Sequence, residues 1–133
     1  MVQNIENRNI ISIYKNNKLI KKCIKNCMHN DEFQMIIPNL NNNSFIVAHT
    51  SEDGLWESFL HCCVNNDTLT FATGYTKKEN RRQGLSTKLR LYILNNYKHI
   101  RQFESLTMPD SKSNILLEKI GFTKEGNKMI KRI

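Results

Sequence analysis

Residues 80 to 89 of the sequence read NRRQGLSTKL, so that two arginines and a glutamine stand directly before a glycine. After Gly84, apolar residues recur at the spacing of one helical face: Leu85, Leu89, Tyr92, Ile93 and Tyr97. The stretch therefore predicts a basic loop that ends at Gly84 and an amphipathic helix that begins directly after it.

The start of this helix has the elements of an anion site. A helix N-terminus leaves backbone N–H groups without acceptors, and the aligned peptide dipoles make that end positive. Gly84 has no β-carbon, so a phosphate can approach the backbone closely, and Arg81 and Arg82 can add charge-assisted hydrogen bonds to its oxygens. Three lysines lie nearby in the sequence: Lys77, Lys78 and Lys88. A phosphate site and a solvated basic helix start both fit these residues, whereas the nucleotide P-loop pattern, GxxxxGK followed by Ser or Thr, is absent.

Downstream of this helix, FESLTM at 103–108 predicts a strand, and the residues 109–111 open a second helix that runs toward Ile120. Gly121 suits the left-handed position that ends a helix, and Phe122 can fold back onto its last turn. A strand, a helix and a strand in this order predict a parallel pair joined by a right-handed crossover.

The first half of the chain predicts a different arrangement. A short strand at 10–14 precedes a helix with one apolar face at 15–28, and three strands then follow at 44–50, 55–64 and 68–76 as an antiparallel meander. The final residues MIKRI predict an edge strand, through which a second chain could pair. The expected fold is α/β with a mixed sheet, as a monomer or a homodimer.

Length and composition limit the number of domains and the expected location of the protein. The 133 residues, with 39% hydrophobic residues, fit a single domain over 1–133. No stretch approaches the ~20 apolar residues that cross a bilayer, and MVQNIENRN lacks the apolar core of a signal peptide. We therefore expect an intracellular, cytoplasmic protein that does not enter a membrane.

The net charge limits the class of binding partner, and the cysteines bear on the redox state and on metal binding. The net charge of +8 predicts attraction to anions, namely nucleic acid, an anionic membrane or a phosphorylated cofactor, and charge alone does not choose among them. Without a secretory signal, the four cysteines are expected as reduced thiols. Cys23, Cys27 and His29 are metal-ligand types but lack the paired spacing of a zinc site, so no metal is predicted.

Two motifs resemble the GNAT superfamily of acetyl-CoA-dependent N-acetyltransferases. Its acyl-CoA loop has Arg or Gln, two residues, Gly, one residue, and then Gly or Ala; residues 81–86, RRQGLS, match it except for the final serine. Its C-terminal helix signature LYEKLGF corresponds to LLEKIGF at 116–122. The order and separation of the motifs also fit the family, and residues 68–126 carry the resemblance.

The resemblance implies a GNAT-like domain in which the parallel strands at 69–76 and 103–108 splay apart and admit the pantetheine arm of acetyl-CoA. Backbone groups of the first strand would bind pantetheine, the loop and the helix start would hold the pyrophosphate, and an acid at the next helix would accept a hydrogen bond from pantetheine. The cofactor-binding residues implied are Gly74, Tyr75, Thr76, Arg81, Arg82, Gln83, Gly84, Leu85, Ser86, Thr87 and Asp110.

The family's catalytic residues do not carry over. The tyrosine that often protonates the CoA thiolate falls on Leu117, and the carboxylate that some members carry on the preceding strand falls on Ser105. An amine with a pKa near ~10.4 is protonated at pH 7, so a base or a desolvating site is needed. Glu57 and His61, on the strand at 55–64, are candidate bases if they face the cleft; Tyr75 or solvent could replace the missing acid.

The function expected from the resemblance is transfer of an acetyl group from acetyl-CoA to a primary amine of a protein or a small molecule. The chain is basic and the first half has no acidic run, which favours a protein, a peptide or a less cationic amine over a polyamine. The alternative is a catalytically weak or inactive acyl-CoA-binding module that acts through a protein or nucleic-acid partner. An inert basic structural protein is the remaining possibility.

Overall fold

A computed structural model of the chain describes residues 10–15, 17–27, 43–106 and 112–133. In chain order its elements are β1 (Ile10–Tyr14), α1 (Asn17–Cys27), β2 (Ser44–Thr50), β3 (Trp56–Asn65), β4 (Thr68–Thr76), a 3-10 turn (Lys78–Asn80), α2 (Leu85–Asn96), β5 (Gln102–Leu106), α3 (Lys112–Lys119), β6 (Thr123–Glu125) and β7 (Lys128–Arg132). The strands of these residues form one seven-stranded sheet in the order β1-β2-β3-β4-β5-β7-β6.

The first four strands are antiparallel neighbours, which confirms the predicted meander. β2 has the predicted bounds, whereas β3 begins one residue later and ends one residue later than 55–64. The helix predicted at 15–28 is confirmed as the shorter α1, whose Ile20 and Cys27 are buried and whose lysines are exposed.

The predicted crossover is also confirmed. β4 and β5 run parallel, paired from Thr68 with Gln102 to Phe71 with Ser105, and α2 connects them. Among the described strands this is the only parallel pair. β5 ends at Leu106; the remainder of the predicted strand and the opening of the second helix, at 107–111, lie outside the described residues.

The prediction of an edge strand at the C-terminus was wrong. β7 lies between β5 and β6, and β6 forms the edge of the sheet. Gly126, with a φ of +63°, helps the chain to reverse between the two strands. The sequence did not reveal β6 because Thr123–Glu125 is short, polar and fully exposed, so it has no alternation of apolar and polar residues.

The sheet has a hydrophobic cluster on each face. The α2-face cluster combines residues of the sheet with those of both later helices: Phe45, Val47, Leu60, Cys62, Leu69, Phe71, Leu89, Ile93, Ile100, Phe103, Leu117, Phe122 and Met129. The α1-face cluster is smaller: Ile20, Cys27, Ile46, Ala48, Trp56 and Phe59. No helix in the described ranges has the length and apolar character needed to cross a membrane.

The end of α3 has the predicted form. Gly121 is left-handed, with a φ of +101°, and its N–H donates to the carbonyl of Glu118 at 3.1 Å. The N–H of Phe122 donates to the carbonyl of Leu117 at 3.0 Å, and the ring of Phe122 is buried. These two bonds are a Schellman motif.

Candidate functional site

The parallel pair separates halfway along β4, as predicted. Pairing ends at Phe71 with Ser105, yet β4 continues to Thr76. Residues 72–76 therefore have β3 on one side and, among the described residues, no strand on the other. Apart from the carbonyl of Thr76, to which Arg81 Nε donates, the main-chain groups on that open side are available to a ligand.

A bulge lies where the pair separates. His61 pairs with Thr73 and Cys62 pairs with Phe71, so Ala72 is an extra residue in β4. Beyond it, the side chain of Tyr75 packs with Phe59 on the α1 face, with the ring centroids 6.0 Å apart. A β-carbon built on Gly74 would point to the opposite face, 2.7 Å from Leu60 Cδ2.

The start of α2 presents backbone donors. Gly84, with a φ of +73°, is the N-cap, and no side chain caps the helix. The first amide to bond is that of Lys88, which donates to the carbonyl of Gly84 at 3.0 Å. Within the described chain the amides of residues 82–87 have no acceptor, and no heavy atom lies within 4 Å of a β-carbon built on Gly84. This end of the helix is open to an anion.

The three residues before Gly84 are placed differently from one another. Arg81 turns back to β4: its Nε donates to the carbonyl of Thr76 at 2.9 Å, and its guanidinium lies 5.5 Å from the ring centre of Tyr75. Arg82 and Gln83 are exposed, and Arg82 has a left-handed backbone with a φ of +69°. Left-handed residues help successive N–H groups to converge into an anion-binding nest.

Glu57 and His61 do not meet in one cleft. The register shift between β2 and β3 makes Glu57 an extra residue, so that it stands on the α2 side, with its Oε1 3.0 Å from His49 Nδ1. Asn80 Nδ2 donates to its other carboxylate oxygen at 3.1 Å. His61 follows Phe59 by two residues and therefore shares the α1 face. The bulge is what separates the two candidates.

His61 has the properties of a neutral base. Only 6% of the residue is exposed, and burial lowers the pKa of its imidazole below its ordinary value, so the neutral form prevails at pH 7. Its Nε2 lies 3.8 Å from Cys63 Sγ, and burial raises the pKa of that thiol, which keeps it uncharged. His61 pairs with Thr73, one residue past the Ala72 bulge.

The remaining side-chain groups considered for catalysis or cofactor binding are buried or lie outside the described ranges. The hydroxyl of Tyr75 is buried and has no hydrogen-bond partner among the described residues. Leu117 is 1% exposed within the α2-face cluster, and Ser105 is buried on β5. Asp110 lies outside the described residues. Trp56 is 2% exposed in the α1-face cluster.

None of the four cysteines, Cys23, Cys27, Cys62 and Cys63, forms a disulfide. His29, the third member of the candidate metal cluster, is outside the described ranges. Nowhere in those ranges do three His, Cys, Asp or Glu side chains come together as a metal site would require.

Two residues of the site were not singled out from the sequence. His49 contacts Glu57 across the bulge, and no local pattern reveals this contact between different strands. Arg90 is buried on α2, beside Ser86. A signal for Arg90 was present, because it directly follows Leu89 and precedes Ile93 on the inward side of the helix, where a charged residue is unusual.

Comparison with solved structures finds the same fold over almost the whole chain. The ribosomal-protein-S18-alanine N-acetyltransferase of Escherichia coli superimposes with a TM-score of 0.77 at 14% identity, over 93% of this chain and 94% of that one. YhhK of E. coli, named as an N-acetyl transferase and solved with coenzyme A bound, gives 0.72 at 12% identity, over 94% and 98%. An acetyltransferase of the GNAT family from Staphylococcus aureus gives 0.66 at 13% identity, over 92% and 99%.

No protein-family model matches the sequence, and no curated protein shows a significant sequence match. The superpositions therefore show the fold alone. The chain has the fold of the GNAT N-acetyltransferases.

Proposed function

We propose that this protein is an acetyl-CoA-dependent N-acetyltransferase that acts on a primary amine. One observation carries the proposal: the amides of residues 82–87 have no acceptor within the described ranges, and they closely follow a strand whose segment 72–76 has no described strand on one side. A ligand with a diphosphate and an attached arm that contains amide groups suits both features. The diphosphate fits the helix start, and the amide groups of the arm fit the open side of the strand. The solved structure of YhhK with coenzyme A supports this assignment.

The residues present fit coenzyme A. The free amides and the positive end of α2 suit its diphosphate, and the exposed side chains of Arg82 and Lys88 add charge. The open side of residues 72–76 offers main-chain partners to the amides of pantetheine, and a backbone N–H near Gly74 to Thr76 would stabilise an oxyanion. When bound, acetyl-CoA supplies an activated thioester. Asp110 stays a predicted contact.

Within this proposal, His61 is the base that removes a proton from the amine, directly or through a water. Its neutral imidazole and its position one strand from the opening support the role. The unpartnered hydroxyl of Tyr75, on the same face, is the candidate acid. Glu57 is less suited, because both of its carboxylate oxygens are engaged by His49 and Asn80.

The acceptor we propose is an amine of low total charge, on a protein, a peptide or a small molecule. Four exposed lysines on α1, Lys18, Lys21, Lys22 and Lys25, make that side of the molecule positive, and the first turn of α1 has no acidic residue. A polyamine would be repelled there. Four cysteines without a disulfide are consistent with the reducing, cytoplasmic compartment that we propose.

The proposal is tested by thermal shift and by thiol release. Coenzyme A and acetyl-CoA should each raise the Tm, and acetyl-CoA should release thiol when an amine from a panel of peptides and small amines is added. His61→Gln should keep the Tm shift but release thiol at least about a hundredfold more slowly, which is the lower end of the contribution ascribed to a general base. Failure of both ligands to stabilise the protein would overturn the proposal.

A second candidate is a module that binds acyl-CoA without turnover. It is favoured by Leu117, a buried aliphatic residue at the position where the family often has a tyrosine, and by Ser105 in place of a carboxylate. Stabilisation by acetyl-CoA with no thiol release from any amine would favour this candidate. A nucleic-acid partner would instead show binding that weakens steeply with salt and does not respond to coenzyme A.

A further inference from the structure

Arg90 is a buried cation in the second turn of α2. The residue is 9% exposed, and its guanidinium lies 5.5 Å from the ring centre of Phe71, the last residue of β4 that pairs with β5. Its Nη1 donates to Ser86 Oγ, and its Nε is buried without a hydrogen-bond partner in the described chain. Burial lowers the pKa of Arg90, but a guanidinium stays protonated at neutral pH.

No carboxylate among the described residues pairs with this charge. The titratable neighbour is Cys62, and burial raises the pKa of its thiol so far that it stays uncharged. The first turn of α2 contains no acidic residue, and the positive end of the helix dipole adds to the same potential. A buried cation without a counter-ion is costly, because few groups replace the water that it has lost.

The direction of the side chain points to the missing anion. Side chains of a helix lean toward its N-terminus, so the guanidinium of Arg90 covers the first turn, where it reaches Ser86. The amides of residues 85–87 in that turn have no acceptor in the part of the chain that the structure describes. Because Ser86 Oγ accepts from Arg90, the hydroxyl hydrogen is free to donate outward, and a charge-assisted bond makes it a stronger donor.

We propose that Arg90 is an anion-binding residue of this protein, which acts through Ser86 on a diphosphate held by the first turn of α2. The diphosphate is the counter-ion that no carboxylate of the described residues supplies to this guanidinium. The inference rests on the proposed function only for the identification of that diphosphate as part of coenzyme A. An inorganic diphosphate tests it independently.

The proposal predicts opposite effects with and without ligand. Arg90→Met keeps much of the side chain's length and removes the charge, so the Tm in phosphate-free buffer should be at least that of the wild type. The same variant should bind inorganic pyrophosphate and coenzyme A about tenfold or more weakly, because an uncompensated charge interacts strongly at an effective dielectric of ~20. Lys98→Met, which removes an exposed charge beyond the other end of α2, is the matched control and should change neither.

The experiment is calorimetric titration of the full chain with each ligand, together with Tm. Arg90→Lys separates charge from packing: it should keep most of the affinity that Arg90→Met loses. Equal losses in both Arg90 variants, or unchanged affinity in Arg90→Met, would overturn the inference while leaving the acetyltransferase proposal intact. So would a Tm of Arg90→Met that falls well below that of the control.

The two proposals fail in different ways. If the wild type binds pyrophosphate through Arg90 but does not bind coenzyme A, the inference stands and the proposed function fails. A wild type that binds neither ligand contradicts both.

Discussion

Arg82 and Gly84 adopt left-handed backbone in the loop before α2, and the conformation has a different cost at each. Gly84, with a φ of +73°, has no β-carbon to clash. Arg82 has a φ of +69° and lacks this freedom. A residue held in such a conformation implies that the loop geometry matters for something other than stability. Here it orients amides at the open end of α2.

Arg82→Gly should stabilise the ligand-free protein by about 1 kcal/mol, because glycine adopts the left-handed conformation without steric cost. Lys88→Gly removes the same charge but stands inside α2, so it should destabilise by about 1 kcal/mol. Urea unfolding in phosphate-free buffer measures both. Changes of the same sign in the two variants would contradict the strain at Arg82.

The burial of His61 makes stability depend on pH in a definite direction. Because its pKa is lowered in the folded state, the unfolded chain binds the proton first as the pH falls. Stability is therefore lost as the pH drops below the ordinary histidine value of about 6.5. Between pH 7.5 and pH 5.5 the wild type should lose more Tm than His61→Gln. The other histidines are common to both proteins and cancel in the comparison; equal losses would refute the prediction.

At the scale of elements, Glu57 connects three parts of the fold. It stands in the bulge of β3 and contacts His49 of β2. It also accepts a hydrogen bond from Asn80, in the 3-10 turn that precedes the loop at residues 81–84. The backbone adds a further tie, since the N–H of Lys77 donates to the carbonyl of Glu57 at 2.8 Å. The residue therefore positions the loop relative to the sheet.

Glu57→Ala should destabilise the protein by about 1–3 kcal/mol, because it leaves the buried His49 and Asn80 without their acceptor. Glu79→Ala, which removes an exposed carboxylate in the neighbouring turn, should cost less than about 1 kcal/mol. Urea unfolding at pH 7 measures both. Similar losses in the two variants would show that the Glu57 contacts do not hold the elements together.

Gly74 allows β3 and β4 to approach at the open segment. A methyl group at this position would meet Leu60 Cδ2 at 2.7 Å, and Leu60 is 1% exposed. Gly74→Ala should therefore cost about 1–3 kcal/mol through overpacking. Leu60→Val in the same chain removes the conflict, so the double variant should be more stable than the sum of the two single losses predicts. Additive losses in urea unfolding would refute this contact.

At the scale of the whole molecule, the two hydrophobic clusters share one sheet. β3 contributes Phe59 to the α1 face and Leu60 to the α2 face, so neither cluster can lose its packing without disturbing the strand that serves the other. Trp56, the one tryptophan of the chain, lies in the α1-face cluster. Its fluorescence therefore reports one face alone.

Unfolding should be a single transition. The denaturant midpoint from Trp56 fluorescence, which follows the α1 face, should coincide with the midpoint from far-UV circular dichroism, which follows all elements. Trp56→Phe provides the blank for the fluorescence signal. An earlier midpoint by fluorescence would mean that α1 and its cluster open separately from the rest of the sheet.

Much of the fold was predictable, because its elements are specified by local patterns. The helix after Gly84, the glycine that ends α3 and the strands of the meander follow from spacing and turn residues within short windows. The open amides at the start of α2 were predictable for the same reason: a helix start leaves amides without intrahelical acceptors wherever it occurs.

Tertiary structure alone decided which side chains meet. One extra residue in β3 moves Glu57 to the face opposite His61 and brings it to His49, and no pattern along a single strand encodes its partner's register. The same holds for β6, which exists only because β7 pairs with it. The sequence places Arg90 on the inward side of α2, but only the tertiary structure shows that no carboxylate among the described residues pairs with it. Local propensity sets the elements, whereas contacts between strands distant in sequence depend on packing that the whole chain determines together.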